Sequence, residues 1–186
     1  MKRIVPVLLV LALLSGCAGS GDGKDQAMAF REKLLSAQGC SFEAEITADY
    51  GDKVYTFAVS CQGDSSGDVT FQVNAPDAIA GIGGKLTGTG GSLTFDDQAL
   101  AFALLADGQL SPVSAPWIFL HTLRGGYLTA FSQEGETLRL SIDDSYEADA
   151  LHLDIWMGAD GMPTGAEILW GGKRILSLSV ANFTLL

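Results

Sequence analysis

The sequence predicts an α+β fold, a long curved antiparallel sheet with helices packed on its concave face, and three observations carry that prediction. Short segments of alternating apolar and polar residues recur along most of the chain, separated by turn residues that include many of its 23 glycines. Two stretches, Asp25 to Gln38 and Ser114 to Leu123, instead have helical spacing or are apolar nearly all round. The apolar fraction is 47% beside that glycine content, which marks an ordered, turn-rich protein and not a disordered one.

Residues 1–16 stand outside this fold. Lys2 and Arg3 give a positive start, and Ile4 to Leu14 form an uninterrupted apolar run, the order of a signal peptide. A run of eleven residues is too short to span a bilayer, which needs roughly 20. Directly after it, Leu14-Ser15-Gly16-Cys17 resembles the lipobox of bacterial lipoproteins, with small residues before the cut and a thiol that receives a diacylglycerol group. Cys17 is therefore the expected lipidation site, and two or more acyl chains on it make a stable anchor. Residues 17–25 form a Gly-rich polar tether, and residues 26–186 a single domain.

The balance of 22 acidic against 11 basic residues argues against a nucleic-acid partner. It also weakens direct adhesion to an anionic membrane face, so membrane contact is expected through the lipid on Cys17.

Within the domain, Asp25 to Gln38 places Ala27, Phe30 and Leu34 at helical spacing beside Arg31, Glu32 and Lys33, and Gly39 ends it. Ser41 to Asp49 and Asp52 to Ser60 both alternate, and a two-residue turn at Tyr50-Gly51 joins them into a hairpin. In that register Phe42 faces Val59, Ala44 faces Phe57, and Cys40 faces Cys61. Opposed strand residues lie within bridging distance, and an exported protein matures where disulfides persist, so a Cys40–Cys61 disulfide is expected.

Short strands follow at Asp68 to Asn74, Gly84 to Thr87, Gly91 to Phe95 and Ala99 to Leu105, with an irregular link at Pro76 to Gly83. Ser114 to Leu123 reads as a short helix with a Ser cap and an early Pro, ending before Gly125-Gly126. Tyr127 to Ser132 and Thr137 to Ile142 form a hairpin, as do Ala150 to Met157 and Gly165 to Trp170, and Lys173 to Phe183 closes the sheet. The strands number about 9–11, with two or three helices.

From an amphipathic helix, a hairpin, a meander and an apolar middle helix to Asp160-Gly161-Met162-Pro163, Ile168-x-Trp170-x-Gly172 and Asn182-Phe183, the order resembles the LolA/LppX-like lipoprotein superfamily. That resemblance covers about residues 25–186 and implies an unclosed β-barrel, a half-barrel, with helices in its mouth. The soluble periplasmic carrier of lipoproteins lacks a lipobox, so this chain looks more like the membrane-tethered members. Some tethered relatives in spore-forming bacteria resemble partner-binding regulators of cell-wall enzymes.

Catalytic material is thin. His121 lies in the apolar helix and His152 on a strand beside Asp154; Ser145, His152 and Asp154 spell a triad, but no Gly-x-Ser-x-Gly elbow supports it. Two isolated histidines give no metal-ligand spacing, and Asp96-Asp97 and Asp143-Asp144 read as solvated turns. Gly81 to Lys85 fails the phosphate-loop pattern because Ile79 stands where its first glycine belongs. No enzyme, no cofactor and no metal is predicted.

Aromatic residues supply the candidate site. Phe71, Phe95, Phe102 and Phe131 on strands, Trp117 and Leu120 on the middle helix, and Trp156 and Trp170 on the closing strands are expected to line an apolar cavity beneath that helix. The resemblance implies a lipid or other hydrophobic ligand there. With a filled core, the same scaffold is instead an interaction lipoprotein that binds an envelope enzyme or complex. The expected location is the extracytoplasmic face of the cell membrane. In a two-membrane host it is the outer membrane, since Ala18 is not the Asp of a retention signal.

Overall fold

The structure, a computed structural model, describes residues 22–186 except 97, 103–104, 107–108 and 148–149. The leader, Cys17 and most of the tether lie outside the described residues.

Eleven strands form one antiparallel sheet in the order β6-β5-β4-β3-β2-β1-β13-β12-β11-β10-β9. At its centre are β1 (Gly39–Asp49), β2 (Val54–Asp64) and β13 (Lys173–Leu185). One wing consists of β3 (Val69–Ala75), β4 (Gly83–Thr87), β5 (Gly90–Phe95) and β6 (Gln98–Phe102). The other consists of β12 (Pro163–Trp170), β11 (His152–Met157), β10 (Thr137–Asp143) and β9 (Tyr127–Glu134). The edge strands β6 and β9 do not pair with each other, so the sheet stays open as a half-barrel. A separate two-stranded ribbon, β7 (Leu105–Ala106) with β8 (Gln109–Leu110), replaces the end of the single long strand expected to reach Leu105.

Two helices pack on one face. Helix α1 (Asp22–Ser36) buries Ala27, Phe30 and Leu34, the predicted stripe. Helix α2 (Ala115–Gly125) follows a 3-10 turn at Pro112–Ser114 and buries Ile118, Phe119, Leu120 and Leu123. Ser114 does not cap α2; its hydroxyl donates to the Ser111 carbonyl at 2.6 Å. The far end of α2 is capped from α1, where Arg31 Nε donates to Leu123 O at 2.7 Å.

Both helices meet the sheet at one aromatic cluster. Phe42 of β1 and Phe183 of β13 stack with centroids 5.6 Å apart, Phe119 meets Phe42 edge-on at 5.7 Å, and Phe30 lies 5.9 Å from Phe183. The centre of the half-barrel is thus filled. Phe183 reaches it because β13 carries one extra residue, Asn182, at φ 54, where the β1–β13 register shifts. That bulge reverses the alternation after Val180, so Val180 and Phe183 both turn inward.

The first hairpin corrects the expected register. The strands are joined by four residues, 50–53, with Gly51 at φ 89 and its N–H held by Asp49 Oδ1 at 2.8 Å. Pairing slips by two, so Cys40 opposes Gly63 and Cys61 opposes Phe42. Cys40 and Cys61 are buried free thiols, not a disulfide. The slip keeps every side chain on its predicted face, because strand faces repeat every two residues. Leu120 of α2 and the Cys40 thiol take the space that a side chain at Gly63 would occupy.

Candidate functional site

The cavity that includes two of the predicted aromatic residues does not lie under the centre of α2. It opens along one side of the helix, between its Trp117–Thr122 turn, the loop joining β10 to β11 and the end of β12. Its volume is about 290 Å³, at the lower end of the roughly 300–1,000 Å³ typical of small-molecule sites. Leu110, Trp117, Ile118, Ala150, Leu151 and Trp170 form its apolar wall. His121, Thr122, Asp144, Ser145 and Glu147 supply the polar groups, and no lysine or arginine is among the described lining residues.

Local chemistry shapes each wall. Trp117 and His121 fall one helical turn apart, and their rings stack with centroids 4.5 Å apart. Thr122 is fully buried, and its hydroxyl is one of two buried side-chain polar atoms among the described residues without a hydrogen-bond partner. An unpaired buried hydroxyl is costly unless something else satisfies it. The loop is closed at its base by Asp144, which accepts the Leu151 N–H at 2.8 Å on Oδ1 and donates its own N–H to Leu151 O at 3.0 Å. At the loop's other side, the Tyr146 ring lies against Tyr127 at the start of β9, tilted by 34° with centroids 3.7 Å apart.

Of the eight residues expected to line one cavity, the structure brings together Trp117 and Trp170. Phe71 and Leu120 are buried in the packed core. Phe95 is 56% exposed beside the β5–β6 turn, and Phe102 lies over Gly91 on the wing. Phe131 packs against Gly23 at the start of α1. Trp156 lies on the opposite face of the sheet, because its neighbours Ile155 and Met157 point into the core. Sequence reading missed Thr122 as a site residue, together with Asp144, Ser145, Glu147, Ala150 and Leu151. The available signal was the run Asp143-Asp144-Ser145-Tyr146-Glu147, whose turn chemistry marks a long loop between two inward-facing strands.

The suggested triad is not assembled. Ser145 is in the cavity loop, whereas His152 Nδ1 pairs with Asp143 Oδ1 at 2.7 Å on the opposite face. Asp154 accepts from Arg139 Nη2 and from Ser141 Oγ, each at 2.6 Å. Burial pushes the Asp154 carboxyl up, but these two hydrogen bonds and the Arg139 charge outweigh it and hold the carboxyl below the usual range. The arrangement is a structural ion pair, with no hydroxyl set against the imidazole.

Comparison with known proteins comes from structure. No family model matches the chain, and no curated protein matches it in sequence. Among solved structures, an uncharacterized conserved protein from Thermus thermophilus is similar at 11% identity and a TM-score of 0.47, over 88% of each chain. A LolA superfamily protein from Nitrosomonas europaea is similar at 10% identity and 0.43, over 86% of this chain and 93% of that one. The lipoprotein LppX of Mycobacterium tuberculosis is similar at 12% identity and 0.42, over 87% and 93%. The class rests on the chain's own geometry: an open antiparallel sheet, β9 and β6 left as edges, and two helices on one face. The architecture, an open antiparallel half-barrel with helices on one face, is the one expected from the sequence.

Proposed function

We propose that this protein is a membrane-tethered, non-enzymatic envelope lipoprotein that binds a hydrophobic ligand in the cavity beside α2. The observation that carries the reading is the cavity itself. It combines an apolar wall of Trp117, Ile118, Leu151 and Trp170 with a few polar side chains, His121, Asp144, Ser145 and Glu147, the make-up of a small-molecule site. The tether is the lipid expected on Cys17, which would hold the half-barrel at the extracytoplasmic face of a membrane. A bound lipid would seat one chain or a compact apolar end here, since the centre of the half-barrel is occupied by Phe30, Phe42, Phe119 and Phe183. The test is native mass spectrometry of the chain secreted as the Cys17→Ser variant from a bacterial host, behind a leader cleaved without lipidation. A stoichiometric hydrophobic adduct, lost on Trp117→Ala, is expected. A ligand-free spectrum together with a lipid-free lipid extract would overturn the reading.

A separate observation favours a second reading, an interaction lipoprotein that binds an envelope enzyme or complex. Edge strand β6 leaves Leu100 65% exposed, beside Phe95 at 56%, and an open edge can accept a partner's strand. Under that reading a photocrosslinker at Leu100 captures one stoichiometric envelope protein, and Trp117→Ala leaves the capture unchanged.

A further inference from the structure

Helix α1 is the element that the tether enters. Cys17 lies five residues before Asp22, the first residue of α1, and five residues at full extension reach at most about 18 Å. A membrane that holds a lipid on Cys17 is therefore close to the start of this helix.

Both ends of α1 sit at the same end of the sheet. Near its start, the Cβ position of Gly23 falls against Phe131 of β9 and Leu138 of β10, and that of Gly161, in the β11–β12 turn, lies 3.8 Å from Gln26 Nε2. Just past its finish, Gln38 N–H donates to Leu186 O and Leu186 N–H donates to Gly39 O, each at 2.9 Å. These contacts fall where β10, β12 and β1 begin and where β9, β11 and β13 finish. The β10–β11 loop of the cavity, Trp170 and the β1–β2 turn occupy the opposite ends of the same strands. The 11 residues of β1 separate the two ends by about 34 Å. The cavity also lies across α2 from α1: Trp117, Ile118 and His121 line it, whereas Leu123 lies with Ala27 and Phe30 on the α1 side.

The outer face of α1 is apolar at two points. Met28 and Leu35, seven residues apart and so on one face of the helix, are 45% and 51% exposed, and Leu186 beyond them is 52% exposed. An open groove of about 680 Å³ runs along this face past Met28, Ala29 and Leu35. Charge on the helix balances, with Lys24, Arg31 and Lys33 against Asp22, Asp25 and Glu32, in a chain of 22 acidic and 11 basic residues. This face can therefore approach a bilayer without the repulsion that the overall charge would bring.

We infer that the outer face of α1, with Met28, Leu35 and Leu186, docks on the bilayer that holds Cys17, and that the cavity is thereby turned away from that bilayer. This rests on the tether proposed above and adds which face meets the membrane. Three half-exposed apolar side chains are too few to bring a free protein to a membrane. A short tether makes the contact intramolecular, at an effective concentration on the order of millimolar, and so makes it persistent. The cavity then takes its ligand from the aqueous side, not from the bilayer beneath α1.

The experiment uses the full lipidated chain on phosphatidylcholine vesicles that carry a lipid with a nitroxide headgroup as quencher. One added surface cysteine bears an NBD fluorophore, either Ser36→Cys on the outer face of α1 or Lys53→Cys in the β1–β2 turn. Cys40 and Cys61 are buried, so the added thiol takes the label. The Ser36→Cys label is expected to shift to the blue and to be quenched, and the Lys53→Cys label to do neither. Met28→Glu together with Leu35→Glu is expected to abolish both effects at Ser36→Cys while the chain still floats with the vesicles in a density gradient. Equal quenching at the two sites, quenching at Ser36→Cys that survives the double variant, or no quenching at either site of a chain that floats overturns the inference and leaves the tether reading standing. A blue shift that appears without vesicles and grows with protein concentration assigns the face to a second copy of the chain and also overturns it. A chain that does not float overturns both.

Discussion

Trp117 and His121 lie one turn apart on α2 and stack with their rings inclined by only 15°. Parallel stacking fixes the orientation of the indole, so the wall it offers a ligand is formed in advance and little ordering remains to be done on binding. Replacing Trp117 with Ala removes both the wall and its support. We expect ligand affinity to fall about tenfold, with a stability loss of about 1–2 kcal/mol because the residue is only partly buried. Calorimetry and urea denaturation on the same variant separate the two effects.

Asp154 tests the opposite face. Its side chain is 6% exposed and is paired with Arg139, which is 38% exposed, so the pair is partly screened. The folded carboxyl is held below its ordinary value of 3.8, and a depressed value contributes stability that is present above that pH and disappears as the pH falls through the folded value. Asp154→Asn should therefore cost about 1–2 kcal/mol at neutral pH, and the gap to the parent protein should narrow below pH about 4. Urea titrations at several pH values check this; a gap that widens in acid would contradict it.

Gly63 is where the middle helix settles on the sheet. A Cβ there would stand 3.0 Å from the Cys40 sulfur and would overlap the Leu120 side chain. Gly63→Val should lower stability by about 1–3 kcal/mol through overpacking. It should also weaken ligand binding, because Leu120 shares α2 with Trp117. Gly135, with open space around its Cβ position but φ 66, serves as a control in which Val brings backbone strain and no change in ligand affinity.

The two buried cysteines provide a chemical check on register. Burial pushes both thiols up, Cys61 well above the usual range, with the neighbouring Cys40 adding to the effect. Thiolate is the reactive form, so labelling should be slow in the folded protein and should speed up by at least about 100-fold in urea. Mass spectrometry before and after reduction is expected to give the same mass for this pair; a shift by two hydrogens would contradict the free thiols.

Alternation along the strands revealed faces well and offsets poorly. Phe42, Ala44 and Ile46 were legible as inward residues and are buried, yet their partners were misassigned by two positions. A period of two residues is blind to a slip of two, and the four-residue turn at 50–53 could not be told from a tighter one. The stripe of α1 was equally legible, because Ala27, Phe30 and Leu34 carry helical spacing whatever they pack against.

The site was less legible for a different reason. Trp156 stands between Ile155 and Met157, so its outward position followed from the alternation that was already visible. Whether Phe71 or Trp170 meets a helix, however, depends on where α2 crosses the sheet, and that crossing is set by Gly63 and the Phe119 cluster at the centre. The loop from Asp144 to Leu151 closes through hydrogen bonds that no local pattern announces.

The chain has three tryptophans, and their placement offers the most direct measurement of the central claim. Trp117 and Trp170 line the cavity, while Trp156 lies on the far face with the Arg139 guanidinium 5.6 Å from its ring centre. Three single-tryptophan variants, with phenylalanine at the other two positions, would be titrated with a decyl amphiphile and followed by fluorescence. The account predicts a saturable emission change in the Trp117-only and Trp170-only proteins and none in the Trp156-only protein. A response at Trp156 alone, or at none of the three, would contradict a ligand site beside α2.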